Sequence, residues 1–325
     1  MDGQRLKFYL PRVPFEITEL IPWVLGIAVF FLLPEYLALA ARILIFIILV
    51  LSLDLIVGYA GVVSLGHGVF FGVGAYAAGI ASVSLAIHDP LMQLLIAAAC
   101  AGLLGLLSGA VVLRGRGLTL IMLTLAVASL VHEAANRATQ LTGGADGLTG
   151  VVIDPLLGLF RFDMFGKTAY VYSLVVLFIV WLLLRTLCRS PFGASLIGIH
   201  QNTMRMQAIG TPVLRQLLFT YTLAAAIAGI AGALLTQTSS FVGLNTLGFE
   251  LSGEILVMLI LGGVGRLYGA FVGPVVFLVA QDYLAKQFPE NWYLGIGVLL
   301  IVVILYARGG ILGLLDLLVK KGVKA

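Results

Sequence analysis

Charge is what this sequence has least of. Only 10% of its 325 residues are Asp, Glu, Lys or Arg, whereas an ordinary soluble domain carries roughly 25%. With 61% hydrophobic residues and a mean hydropathy of +1.12, that deficit excludes a water-soluble globule and leaves a chain solvated by lipid. Cysteine is scarce as well. Cys100 falls in an apolar run and Cys188 in a basic stretch, which excludes a disulfide framework; both are read as packing residues. Acid is missing outright from Arg185 to Arg215, where Arg185, Arg189, His200, Arg205 and Arg215 stand without one Asp or Glu. The net charge of +4 sits in connections between apolar runs, where membrane topology explains it and no nucleic-acid partner is needed.

Reactive constellations are also lacking. His132-Glu133-Ala-Ala-Asn136 supplies one histidine where the zinc motif H-E-x-x-H needs two, so no metal site is expected. Gly166-Lys167-Thr168 ends like a phosphate loop, but Arg161 stands where its first glycine is required. Gly72-Val-Gly74-Ala-Tyr-Ala77 fits the relaxed dinucleotide fingerprint, yet it lies inside an apolar helix and no βαβ unit surrounds it. No nucleophile meets a base, and the chain is not expected to be an enzyme.

What is there is a series of apolar runs, each near the roughly 17–25 residues that cross a bilayer as helix. They cover 18–34, 36–57, 68–87, 91–113, 118–136, 169–186, 216–236, 251–264, 269–286 and 293–307. The expected fold is an all-α polytopic membrane bundle of about ten transmembrane helices, eight or nine if the short first and eighth runs are re-entrant. Ile21 to Ala40 could pass for a signal peptide, but Asp2, Glu16 and Glu19 precede it and Pro34-Glu35 interrupts it, so a retained span is expected. Placing both termini in the cytoplasm puts 14 of the 19 basic residues inside: Arg5, Lys7, Arg12, Arg114, Arg116, Arg185, Arg189, Arg205, Arg215, Arg266, Arg308, Lys320, Lys321 and Lys324. Arg137, Arg161, Lys167 and Lys286 fall outside, and Arg42 falls within a span. Basic loops stay inside, so this register is favoured over its inverse. The organisation read from these runs is a cytoplasmic segment 1–17, one membrane domain 18–315 and a cytoplasmic tail 316–325.

Two connections are long. The basic one, 185–215, far exceeds a plain helix–helix loop and is suited to touch something soluble on the cytoplasmic side. The extracytoplasmic one, 137–168, opens on a turn-rich Leu141–Gly150 stretch with four glycines and continues into an amphipathic piece at Phe160–Phe165 suited to the interface or to a plain loop.

Glycine is abundant, and its arrangement is specific. Gly68/Gly72, Gly105/Gly109, Ala225/Gly229, Gly265/Gly269 and Gly269/Gly273 set small residues four apart, the spacing of close helix crossings. Gly58, Gly61 and Gly66 break one apolar run and Gly262, Gly263 and Gly265 break another. Broken helices at membrane depth are tolerated only inside protein or beside water, and paired breaks can mark a translocation path. Asp54, Tyr59, Ser64, His67, Glu133 and Glu254, polar groups in or near spans, are the candidates to line it; for Asp54 and His67, local hydrogen bonding to neighbouring helix ends is the alternative role.

Several stretches together resemble one family. Gly58-Tyr-Ala-Gly-Val-Val-Ser-Leu-Gly-His-Gly-Val-Phe-Phe-Gly-Val-Gly-Ala-Tyr76, Thr142-Gly-Gly-Ala-Asp-Gly-Leu-Thr149 and Gly262-Gly-Val-Gly-Arg-Leu-Tyr-Gly-Ala-Phe-Val-Gly-Pro274 are similar to LivM-type permeases of branched-chain amino acid ABC importers. Pro191-Phe-Gly through Asn202, Ala208-Ile-Gly210 and Ala228-Gly-Ile-Ala-Gly-Ala233 resemble that family's cytoplasmic loop and the helix after it. The resemblance runs in register from about residue 36 to 315. It implies a multi-pass permease of a bacterial or archaeal cytoplasmic membrane that moves branched-chain or similar hydrophobic amino acids inward. Its implied partners are a LivH-like second permease subunit, two cytoplasmic ABC ATPase subunits that bind ATP and magnesium, and an extracytoplasmic solute-binding protein; no cofactor is implied in this chain. Gly193, Ile199, Asn202, Arg205, Ala208 and Gly210 match the family's ATPase-coupling loop by position. His200, where Arg is common, and Met206, commonly smaller or charged, depart from the pattern. Relatives carrying urea, amides or aromatic acids remain alternatives, although Ala145-Asp146 stands where urea-type members have Asn-Asn. A stand-alone proton-coupled carrier or channel is the alternative of a different class.

Overall fold

The computed structural model describes residues 17–156, 158, 160, 166–289, 294–295, 297–298, 301, 310–311 and 313. Its architecture is helical, with two isolated antiparallel bridges and no strand among the described residues. The helices are α1 (Ile21–Leu32), α2 (Leu37–Asp54), α3 (Gly68–Val83), α4 (Pro90–Val112), α5 (Leu118–Arg137), the single turn α6 (Thr139–Thr142), α7 (Lys167–Cys188), α8 (Pro191–Gln201), α9 (Thr203–Ala208), α10 (Val213–Ser239), α11 (Phe249–Gly262) and α12 (Gly269–Gln287). The first nine apolar runs each become a helix; the tenth, 293–307, lies largely outside the described residues, as do both terminal segments and the amphipathic piece ending at Phe165. Five helical stretches are long and apolar enough to cross a membrane: Pro34–Tyr59, Pro90–Val112, Leu118–Arg137, Lys167–Cys188 and Val213–Ser239. Ile21–Leu32 and Gly68–Val83 are shorter apolar helices.

Alternation of helix direction defines two poles. One, the basic pole, gathers Arg114, Arg116, Arg185, Arg189, Arg205, Arg215 and Arg266 in the helix ends and connections on that side. At the other lie Arg137, Lys167 and Lys286.

α2 and α10 form the centre. Every residue of α2 from Leu44 to Asp54 is buried, the signature of a helix that is apolar all round and enclosed by others. Lipid is as apolar as leucine, so burying these side chains gives no hydrophobic gain over leaving them in the bilayer; close packing has to hold the bundle. α10 shows how. A Cβ on Gly232 would overlap the Phe71 carbonyl of α3, and one on Gly229 would meet the Ala101 methyl of α4. Gly105 of α4 lies in turn on Ala225. α3, α4 and α10 therefore pack backbone against backbone, while α7, α11 and α12 close around α2. α1 is fixed by Trp23, whose ring meets Trp181 at 5.2 Å and Phe178 at 4.9 Å. α5 is peripheral and mostly exposed, with Leu118 and Leu130 at 74% and 70% accessibility.

The pole opposite the basic one is capped by the turn-rich stretch after α5. Leu148 and Val242 exchange backbone hydrogen bonds of 2.8 and 3.1 Å, and Ser82 Oγ donates to the Val152 carbonyl at 2.7 Å. Gly143, Gly144, Gly147 and Gly150 all take positive φ, which explains why four glycines occur there.

The basic connection is itself helical. α7 continues through Arg185 to Cys188, and α10 begins at Val213. Between them α8 and α9 form a helical pair. Ser190 caps α8, with Pro191 at its first position, and Asn202 Oδ1 caps α9 by accepting from Arg205 N at 3.0 Å. These cap residues, more than charge, decide the local structure.

Candidate functional site

The two glycine-broken stretches, about 200 residues apart in sequence, meet at the basic pole. α2 does not end cleanly at Asp54 but widens into a π-helical turn, Leu55–Tyr59, a form that often marks functional positions. α11 ends at Gly262, and Gly263 and Gly265 take φ of 115° and 76° in the turn toward α12. Asp54 is completely buried, and its Oδ1 accepts from Gly265 N at 2.7 Å. A Cβ on Gly58 would collide with the Gly265 backbone and the Asp54 carboxylate, so contact this close requires glycine. Gly310 packs on Gly262 and Gly263 from the far side.

α8 sits directly on this junction. His200 Nδ1 lies 3.0 Å from the Gly58 carbonyl; a carbonyl only accepts, so Nδ1 carries the proton here. Gly61, at φ 71°, faces the His200 ring with no room for a side chain. Tyr59 and Cys188 share a side-chain hydrogen bond, which ties the break to the end of α7. Cys188 is thus a packing residue as expected, whereas Cys100 is exposed on α4.

A buried acid gathers the remaining elements. Glu19, just before α1, is 3% exposed and pairs with Arg185 at 2.7 Å and with Arg189. It also bonds the Tyr268 hydroxyl, which burial first and the Glu19 charge next push up to about 12; that hydroxyl stays protonated and donates to the carboxylate. Two of the five basic groups in the acid-free stretch are therefore neutralised within the chain. Exposed instead is the tip formed by Met204 at 69%, Arg205, Ala208, Ile209 at 73% and Gly210.

Between Tyr59 and α3 the chain runs without helix through 60–67, and protein hydroxyls take the place of the missing backbone partners. Leu65 N donates to Thr124 Oγ1 at 3.4 Å, Gly66 N to Ser64 Oγ at 3.3 Å and Gly68 N to Ser252 Oγ at 3.0 Å. Gly66 lies against the Thr124 carbonyl of α5. His67 is buried, with Nε2 at 2.8 Å from Ser52 Oγ. Since the Ser52 hydroxyl donates to the Leu49 carbonyl, Nε2 is the donor and Nδ1 is left without a partner. In this conformation the break is enclosed in protein, one of the two settings that such backbone tolerates.

The structure thus brings Asp54, Tyr59, Gly58, Gly61, Gly262, Gly263 and Gly265 together and sets Ser64, Gly66 and His67 next to them. It does not bring Glu133 there. That residue is exposed on α5, pairs with Arg137 at 2.6 Å, and lines a cleft of about 640 Å³ with Ser129, His132, Leu247 and Phe249 toward the opposite pole. Glu254 is half-buried on α11, away from the junction. Of the residues matched to the coupling loop, Asn202, Arg205, Ala208 and Gly210 are exposed, but Gly193 and Ile199 are buried. Ile199 belongs to the core and Gly193 lies on the Cys188 backbone, so these two hold α8 in place and are not presented outward. Glu19 was not singled out from sequence for this site. The signal for Glu19 was an acid just ahead of the first span, facing a segment that has none.

Among the described residues no group of three His, Cys, Asp or Glu side chains could hold a metal ion. The family model described as branched-chain amino acid transport system / permease component matches residues 36–305. The high-affinity branched-chain amino acid transport system permease protein LivM of Salmonella typhimurium is 28% identical over 298 residues, covering 84% of this chain and 69% of that protein. LivM of Escherichia coli is 27% identical over 294 residues, covering 83% and 68%. No solved structure matches the chain. A family match over most of the sequence and a bundle with five membrane-length apolar helices agree: the chain belongs to the branched-chain amino acid transport permease family and is a multi-pass transport subunit.

Proposed function

We propose that this chain is one half of the membrane channel of an ATP-driven importer for branched-chain or similar hydrophobic amino acids, and that α8 and α9 couple it to its motor. The basic pole is the cytoplasmic one, because basic connections stay inside. There two ABC ATPase subunits, which bind ATP and magnesium, attach, one of them on the exposed tip Met204, Arg205, Ala208 and Ile209 of this chain, with Asn202 and Gly210 setting the start and end of α9. A LivH-like permease completes the channel, and a solute-binding protein delivers cargo at the opposite pole. The supporting observation is the seat of α8: His200 holds the Gly58 carbonyl at 3.0 Å, so a push on the tip reaches the place where α2 is broken and where α11 is tied to it through Asp54. A rigid-body shift of the helical pair would tighten or release that junction, which serves as the inner gate, with Tyr59, Ser64 and His67 along the path behind it.

The test is an Ile209→Asp variant. Ile209 is 73% exposed, so the chain still folds and enters the membrane, while a charge in an apolar contact with the ATPase weakens it. Loss of the ATPase subunits on co-purification together with loss of leucine uptake is expected. Normal uptake by this variant, or solute movement driven by a proton gradient in vesicles holding this chain alone, would refute the coupling reading.

A further inference from the structure

α5 is the least enclosed of the five membrane-length helices. Of its 20 residues only Thr124 and Ala128 are buried, against nine each on α4 and α7. Lipid gives an apolar helix no hydrophobic reason to stay beside its neighbours, so this sparse packing leaves α5 weakly held by its own chain. Its exposed residues also differ in kind. Away from their ends, α4 and α7 expose only apolar residues, such as Leu95, Leu103 and Leu107 on one and Val175, Ile179 and Leu183 on the other. Those are surfaces for hydrocarbon. α5 instead exposes Met122, Ala126, Ser129 and Glu133, spaced by four, three and four residues and therefore on one face.

This face carries polar groups at a depth where lipid offers them no partner. α5 is about 30 Å long, the thickness of the hydrocarbon, and its middle falls between residues 127 and 128. Ser129 lies about 2 Å from that level and Glu133 about 8 Å, both within the half-thickness of about 15 Å. Beside them opens the cleft of about 640 Å³, walled by Ser129, His132 and Glu133 of α5 and by Leu247 and Phe249 at the start of α11. Phe249 is 55% exposed, and Glu250 after it is exposed as well. Ionisable groups at such depth face protein or water. Yet among the described residues Glu133 is paired along its own helix, with Arg137, and its side chain stays half exposed.

We infer that this face of α5, with the cleft between it and the start of α11, is the seat of a transmembrane helix of the second permease subunit. The occupant is a helix within the bilayer, because the exposed seam from Met122 to Glu133 runs about 17 Å along the membrane normal. Ala126 and Ser129 let another backbone approach closely, as small residues do, and the Ser129 hydroxyl and Glu133 carboxylate call for donors on it. Glu133 and Glu250 outnumber Arg137 here, so a basic group on the occupant complements the outer end of the seam. A second copy of this chain fits worse. In a two-fold pair the same patch lies on both sides, which sets these acids against their own copies, and like charges oppose association. The assignment rests on the importer reading above and adds the surface at which the two permeases join, leaving α4 and α7 to lipid.

The experiment uses the complete importer in its membrane, with a photoreactive benzophenone side chain placed at Ala126 or Ser129 and, as controls, at Leu103 or Ile179. Light is expected to join the first two positions to the second permease subunit and the controls to lipid. In parallel, Ala126→Trp should lower recovery of that subunit on co-purification about tenfold, as overpacking of a close contact does, whereas Leu103→Trp should leave it unchanged. Both residues are exposed, so the full chain purified by itself should keep its parental melting temperature in both variants. Adducts from Ala126 and Ser129 to lipid alone or to a second copy of this chain overturn the assignment, and so do adducts to the partner from α4 or α7 instead. Parental recovery with Ala126→Trp overturns it too, as does a melting temperature that falls in step with recovery. A partner that co-purifies but cross-links elsewhere sinks this surface alone. Leucine uptake by this chain and the ATPases with no second permease present would sink the two-subunit importer reading itself.

Discussion

Gly58→Ala is the perturbation that bears most directly on the proposed gate. The added methyl would lie inside contact distance of the Gly265 backbone and the Asp54 carboxylate. Neither can swing away as the end of a long side chain would. The chain has two ways to respond. It can hold the junction closed under strain, at the cost typical of overpacking, about 1–3 kcal/mol. Or it can separate α2 from α11 and give up the Asp54–Gly265 hydrogen bond, which leaves buried polar groups unpaired at about 1–3 kcal/mol. The cheaper response sets the penalty, so the closed junction loses about 1–3 kcal/mol, a shift of roughly 5- to 150-fold in its equilibrium. The assay is leucine uptake by the assembled importer, with ATP hydrolysis measured in the same vesicles. Hydrolysis should continue while uptake falls, because the motor and its docking tip are untouched. Asp54→Asn gives the control: its side-chain oxygen still accepts from Gly265 N, so it should be milder than Asp54→Leu. Parental uptake by Gly58→Ala, or equal effects of Asn and Leu at position 54, would refute the junction as the gate.

Other outcomes follow from the same contacts. Glu19→Gln removes one counter-charge from Arg185 and Arg189 in a mostly buried setting; with partial exposure of both guanidinium groups the loss is about 1–3 kcal/mol, read as a lower melting temperature in detergent. Glu133→Gln, which removes a pair exposed at both ends, should leave that temperature unchanged. Gly232→Val should cost more than about 1–3 kcal/mol, because its side chain meets the Phe71 carbonyl between α10 and α3. Gly253→Ala, which faces open space within α11, should be neutral or stabilising by up to about 1 kcal/mol. A Gly232→Val chain as stable as the parent would contradict the backbone packing described for α3 and α10.

Much of the architecture was legible in advance for a reason particular to membranes. A run of about 20 apolar residues has few alternatives to a spanning helix, so the first nine runs could be placed to within a few residues at most ends. Breaks at Gly58–Gly66 and Gly262–Gly265 were legible too, since glycine clusters interrupt helix propensity wherever they fall. What could not be read was that the breaks touch. Gly58 meets Gly265 through backbone atoms, and the bond that joins them runs from Asp54 to a main-chain N–H, so no pairing of side chains announces it. The basic stretch was legible only in part. Its charge pattern marked a long connection suited to touch something soluble, but not that the Ser190 and Asn202 caps fold it into two helices or that the apolar Leu196 and Ile199 bury one of them.

Sequence alone determined the class: too little charge for water, enough apolar length for helices through a bilayer, and small residues spaced so that those helices pack closely. These are properties of composition and of short-range order along the chain, where lipid and backbone hydrogen bonding permit almost one answer. Tertiary structure decided which groups act together. His200 found the Gly58 carbonyl 142 positions away and Glu19 found Arg185 across 166, because helix directions and crossing points, set by where glycine and alanine let backbones approach, fix distances that no local pattern encodes.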